Sequence, residues 1–259
     1  LTRKCSLGFK KNTDAQIGIG TLIIFIAMIL IASIAAAVMI QTSGILQEQA
    51  AQTGRQATQE VSSNILIRNI EGYRANDTGG QGGPSDTIDM IKINAGLHVG
   101  TSEIDISQTI ITVSDGSRTN TLVYAGNERI FGTTMEGFDT DHSTNLELLL
   151  NGTTNDGPNS KLFFTANPHR DEDGSFSQSD PLMSKGDLIS LYVATVSRDA
   201  SGYTSLYSYD DLELKSSDLK LNPRTRMSIV ISSEYGPDVS ARFYTPSAYG
   251  VNMIVGLYP

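Results

Sequence analysis

Few residues in this chain have the types and spacings that chemistry requires. The three histidines, His98, His142 and His169, lie far apart. They lack the short intervals that bring two ring nitrogens to one metal ion, and they read as surface residues. No serine occupies the Gly-x-Ser-x-Gly turn that presents a nucleophile at the end of a strand. The chain therefore reads as a non-enzyme with no organic cofactor. The nearest approach to a ligand set is Asp171-Glu172-Asp173-Gly174-Ser175. Alternating carboxylates before a glycine turn suit a hard cation such as Ca2+, which makes Asp171 and Asp173 the candidate metal ligands. The twelfth position counted from Asp171 is Leu182, which has no ligand atom. That favours an acidic solvated turn ahead of Asp187. Two acceptor triplets for N-glycosylation remain, Asn76-Asp77-Thr78 and Asn151-Gly152-Thr153. Both fall in stretches read as loops, so Asn76 and Asn151 are candidate glycan carriers.

The elements that must position these residues divide sharply. Residues 16–40 form an apolar run with no charge, and the next charged residue is Glu48. About 20 apolar residues cross a bilayer core as a helix, so the run can span a membrane. It is too long for the core of a secretory signal, and no small-residue cleavage site follows it. Arg3, Lys4, Lys10 and Lys11 precede the run and the next basic residue is Arg55. This asymmetry puts the leader in the cytoplasm and the rest outside. The helical pattern continues past the run. Leu46, Ala50, Ala57, Val61 and Ile65 recur at three- and four-residue steps, with Gly54 filling the gap. Gln47, Glu48, Gln52, Arg55, Gln59 and Glu60 lie off that stripe. The spacing predicts one helix over 16–72, roughly 80 Å long, apolar all round in its first half and amphipathic in its second.

Beyond it the pattern changes. Residues 73–86 include the glycine-rich RANDTGGQGGPS and read as a hinge. From Thr87 the apolar residues alternate. Strands are expected around 104–113, 121–125, 146–150, 162–165, 187–195, 225–233, 239–244 and 252–257. The predicted class is α+β: a long hydrophobic helix, then an all-β Ig-like sandwich over 87–259. The chain carries 19 basic and 28 acidic residues, a net charge of −9. Nucleic acid is an unsuited partner for such a surface. The single cysteine, Cys5, lies ahead of the apolar run, so nothing after it can form a disulfide.

The run from Ala15 to Gln47, AQIGIGTLIIFIAMILIASIAAAVMIQTSGILQ, resembles the N-terminal segment of archaellins, the archaeal flagellins of the type IV pilin-like superfamily. The other end resembles their closing segment, through Pro223-Arg224, Gly236, Thr245-Pro246-Ser247, Tyr249 and Leu257-Tyr258-Pro259. The resemblance implies that residues 1–15 are a class III signal peptide, cut between Ala15 and Gln16 by a prepilin-type signal peptidase, with Gly18 as the third mature residue. The family usually has glycine before the cut, where this chain has Ala15. Gly20 stands where bacterial type IV pilins usually carry a glutamate, which favours archaellin over pilin. Removal of the leader would leave 15 basic and 27 acidic residues, a net charge of −12.

The resemblance further implies a membrane-held precursor and an extracellular archaellum filament for swimming motility. The N-terminal helices would form the filament core, in a homopolymer or with other archaellins. The archaellum membrane platform and its ATPase would turn it, and an oligosaccharyltransferase would modify it. Gly18, Gly20, Ala27, Ala32 and Ala35 to Ala37 would let helices approach closely. An adhesive archaeal type IV pilin and a single-pass surface binding protein are the alternatives. The C-terminal match disfavours the first, and the processed leader the second.

Overall fold

The computed structural model describes residues 13–62, 64–77, 83–98, 103–128, 134–199, 203–207, 209–210, 213–234 and 236–258. The leader up to Asn12 lies outside them. Helix α1 runs Thr13–Ser62 and forms most of a first compact unit, Leu1–Gln56, with a second unit over Ala57–Pro259.

The helix is shorter than the sequence predicts. It stops at Ser62, and Ile65–Tyr73 is strand β1. The sequence at 62–64 is Ser-Ser-Asn, residue types that compete for backbone hydrogen bonds, and β-branched Ile65 and Ile67 follow. Ile65 fits a helical stripe and a strand face equally well by spacing. Its pairing with Leu97 decides for the strand. The described parts of the expected hinge, 73–77 and 83–86, also belong to the β unit, and 78–82 lie outside the described residues. β2 (Asn76–Asp77) and β3 (Gly83–Pro84) pair with each other as an excursion from the end of β1, and Ser85 N–H donates to Ala75 O at 2.7 Å.

The remaining elements follow in order. They are β4 (Met90–Leu97), β5 (Ile104–Asp105), a 3-10 turn (Ile106–Gln108), β6 (Ile110–Ser114) and β7 (Thr119–Tyr124). Next come α2 (His142–Asn151), β8 (Thr153–Thr154), β9 (Gly157–Pro158), α3 (Asn159–Leu162), β10 (Phe163–Arg170), β11 (Leu182–Met183) and β12 (Leu188–Ala194). β13 (Tyr203–Leu206), β14 (Tyr209–Asp210), β15 (Arg226–Ser232), β16 (Val239–Tyr244) and β17 (Ile254–Tyr258) complete the described elements. The strand expected at 146–150 is instead part of helix α2. Asp141 caps it by accepting from Thr144 N, and Asn145, Leu146, Leu149 and Leu150 bury one face at helical spacing.

Nine strands form one sheet in the order β16-β15-β6-β7-β10-β12-β4-β1-β17. β7 and β10 are joined by only two parallel pairs, Phe163 with Val123 and Phe164 with Tyr124. That short corner separates a four-strand from a five-strand part of the sheet, and both contribute side chains to one core, in the mostly-β domain expected after the helix. Period-two alternation fills it. Ile91, Ile93 and Ala95 of β4, Ile189, Leu191 and Val193 of β12, and Met227, Ile229 and Ile231 of β15 all point inward. At the far edges the Phe243 and Tyr258 rings lie 6.2 Å apart, so β16 and β17 approach each other. Met90, Tyr192 and Ala194 point to the opposite face and pack with Leu146, Leu149 and Leu150 of α2.

Arg74 ties the end of β1 to the closing segment. Its buried guanidinium donates to the carbonyls of Pro84, Ser85, Gly250 and Asn252 and lies over the Tyr249 ring at 5.3 Å. Asp89 nearby is also buried. It accepts from Ala75 N at 2.8 Å, and burial pushes its pKa up to about 6.

Candidate polymerisation surface

α1 presents apolar side chains in every direction. From Ile17 to Leu46 its large hydrophobics are exposed, among them Phe25 at 61%, Met39 at 72% and Ile40 at 74%. By length and composition the helix can cross a membrane. Each such side chain left in water forgoes about 1.5–3 kcal/mol of burial, so this surface requires lipid or protein around it. Three of its hydroxyls are already satisfied. Thr21 Oγ1 donates to Gly18 O at 3.0 Å, Ser33 Oγ to Leu30 O at 2.8 Å and Thr42 Oγ1 to Val38 O at 2.8 Å. None of these hydroxyls brings an unmet donor into an apolar surrounding. Gly18, Gly20, Gly44 and Gly54 have open space where a Cβ would stand. Ala27, Ala32 and Ala35 line a shallow apolar strip with Ile24, Met28 and Ile31.

The predicted processing residues fall at the start of α1. Ala15 and Gln16 belong to the first helical turns, and Gly18 is exposed.

Asn76 and Asn151 stand in a strand and a helix and not in loops, and Thr78 lies outside the described residues. Asn76 is a half-buried residue of β2, paired with Pro84 on one side and Ser205 on the other. Asn151 ends α2, and Thr153 opens β8. Gly152 between them is dictated by packing. A Cβ there would lie 2.5 Å from Leu148 O, which accepts from Gly152 N and from Asn159 Nδ2.

The structure brings Asp171 and Asp173 together and adds Asp187, which spacing alone does not reveal. One carboxylate oxygen from each lies within 4.8 Å of the others. The loop from 171 to 187 folds back to place it, guided by the β11 pairing with β5. The carboxylates are largely occupied by their own loop. Asp171 accepts from Gly174, Ser175 and Phe176 N, and Asp187 from Ser184 N at 2.7 Å. The Ser184 and Ser175 hydrogen bonds hold the Asp173 carboxyl down to about 2. Three oxygens at this spacing fit a hard cation in part and a self-satisfied turn as well.

Of the histidines, His98 and His169 are exposed. His142 departs from expectation. It opens α2 with its ring 5.0 Å from that of Tyr192, and burial pushes its pKa down to about 4. It carries no ligand geometry. Its burial follows from the α2 assignment, which alternation in LELLL conceals.

The family model for archaeal-type flagellin matches residues 15–243. Flagellin B2 of Methanocaldococcus jannaschii is 31% identical over 241 residues, covering 93% of this chain and 93% of its own length. Flagellin B3 of Thermococcus kodakarensis is 32% identical over 253 residues, covering 93% and 96%. The fold is similar to that of the archaeal flagellum of Methanospirillum hungatei strain JF1. Its TM-score is 0.52 at 11% identity, over 93% of this chain and 99% of that one.

Proposed function

The chain belongs to the archaeal-type flagellin family and is a structural subunit of the archaeal flagellar filament at the cell surface; from that premise we propose how it assembles. The observation that carries the reading is the uncovered apolar surface of α1, in a chain whose β unit has a closed core. The helix first holds the precursor in the cytoplasmic membrane. A prepilin-type signal peptidase then cuts between Ala15 and Gln16. Because both residues lie in helical backbone, the peptidase must unwind the first turn to reach the bond, and Gly18 makes that unwinding cheaper. Helices of many copies, alone or with other archaellins, replace lipid with one another and form the filament core.

The β unit forms the outer shell and carries the exposed surface. An oligosaccharyltransferase modifies Asn76 or Asn151 there, and any Ca2+ binds at Asp171, Asp173 and Asp187. The membrane platform and its ATPase supply the work, and this chain transmits it without catalysis of its own.

The test is Ala36→Asp. A carboxylate in the middle of the helix costs about 2.5–3.5 kcal/mol in a bilayer on insertion scales. Among packed helices it meets no cation, because the sequence has no basic residue between Lys11 and Arg55. The variant is expected to insert and be processed, by membrane fractionation and intact mass, yet to form no filaments by electron microscopy. Normal filaments from inserted, processed subunits would leave a membrane-anchored surface protein as the better reading.

A further inference from the structure

Between Gln16 and Gln59 the sequence contains two charges, Glu48 and Arg55. Both are exposed on α1, and neither takes part in an ion pair among the described residues. Neither has an opposite charge three or four residues away, where helical neighbours meet. Around Glu48 those positions are Gly44, Ile45, Ala51 and Gln52, and around Arg55 they are Ala51, Gln52, Thr58 and Gln59. The two cannot meet each other either, since seven residues separate them by about 10.5 Å along the axis. They do share one side of the helix. Seven residues advance about 20° short of two full turns, so both point the same way, opposite the stripe of Leu46, Ala50 and Ala57.

Resting on the filament reading above, we infer that Glu48 of one copy pairs with Arg55 of a neighbouring copy, and that this contact fixes the axial register of the helices in the core. The occupant of this helix face is thus a second copy of the chain, identified by charge complementarity. Each copy offers one acid and one base on the same polar side of the helix, and a second copy of the same sequence offers their complements. Two helices in parallel, displaced by about two turns, bring the opposite charges level. Any other displacement leaves both unpaired. Apolar packing along a nearly uniform surface discriminates poorly between registers, so a single polar pair can select one.

The experiment compares filament yield in cells expressing the full chain, Glu48→Arg, Arg55→Glu and the double exchange. Each single reversal should lower yield at least tenfold, and the double exchange should restore it. Co-expressing the two single variants should restore it as well, since neighbours then supply opposite charges. Single variants that assemble like the wild type, or a double exchange as defective as either single, would overturn the pairing. A wild-type chain that forms no filaments would instead defeat the filament reading itself, and the pairing with it.

A second measurement covers loss of insertion in the charged variants. The sole cysteine, Cys5, precedes the proposed cut. Filaments of Glu48→Cys/Arg55→Cys treated with a short bis-maleimide should give a covalent ladder on gels, and either single cysteine should not. Monomers alone from intact double-cysteine filaments would overturn the proposal.

Discussion

Helix α1 and the β unit satisfy their backbones equally well and treat their apolar side chains in opposite ways. In α1 the hydrogen bonds are local and the large hydrophobics face outward. In the β unit the hydrogen bonds run between strands far apart in sequence. Ile70, Ile93, Leu191 and Ile229, one from each of four strands, sit at 0–1% exposure. A helix closes its own backbone and so can leave its side chains uncommitted, whereas a strand is finished only by its neighbours. The contrast assigns the two roles. One unit buries its own apolar side chains, and the other leaves them uncovered within the chain.

The largest effect expected from breaking that contrast comes from where the β unit is cut. A fragment starting at Thr87 omits β1, which pairs with β4 on one side and β17 on the other. It should fail to give a cooperative thermal transition, while a fragment starting at Asn64 should give one. Cooperative unfolding of the Thr87 fragment would show that β1 belongs with the helix.

Arg74→Ala should be next, at about 2–5 kcal/mol. It leaves the carbonyls of Ser85, Gly250 and Asn252 unmet and removes a cation that favours the charged form of Asp89. Denaturant midpoints of the Asn64 fragment measure it, and a loss under about 1 kcal/mol would contradict the clamp.

The smallest effect is pH-dependent. His142 titrates at about 4 in the folded chain against 6.5 for the free group. The unfolded chain therefore takes the proton first, and stability present above pH 6.5 is lost as pH falls toward 4, by at most about 3 kcal/mol. Asp89 works in the opposite sense. Its folded pKa of about 6 exceeds 3.8, so the folded chain gains stability as pH falls through that window. His142→Phe should thus flatten or reverse the loss between about pH 6.5 and 4.5. Urea midpoints that fall in parallel with the wild type would remove His142 from the account.

What could be read from the sequence follows the same division. Uniform apolarity and alternation are strong signals, so α1 and the strands β12, β15 and β16 were legible. Ambiguous spacing was not. Ile65 suits a helix face or a strand face, and only pairing with Leu97 resolves it. LELLL alternates like a strand, and its helical state was signalled by the Asp141 cap ahead of it. Asp171 and Asp173 were visible as neighbours, while Asp187 joins them only through the folded loop. The apolar surface of α1 was legible because a helix closes its own backbone locally and needs no pairing partner within the chain.

The most direct test of the division is assembly of the Asn64 fragment, followed by electron microscopy and sedimentation at concentrations where the processed full-length chain polymerises. The expected result is a folded, β-rich monomer that forms no filaments at any concentration tested. Regular filaments from this fragment would contradict it, because the contacts that build the polymer would then lie in the β unit.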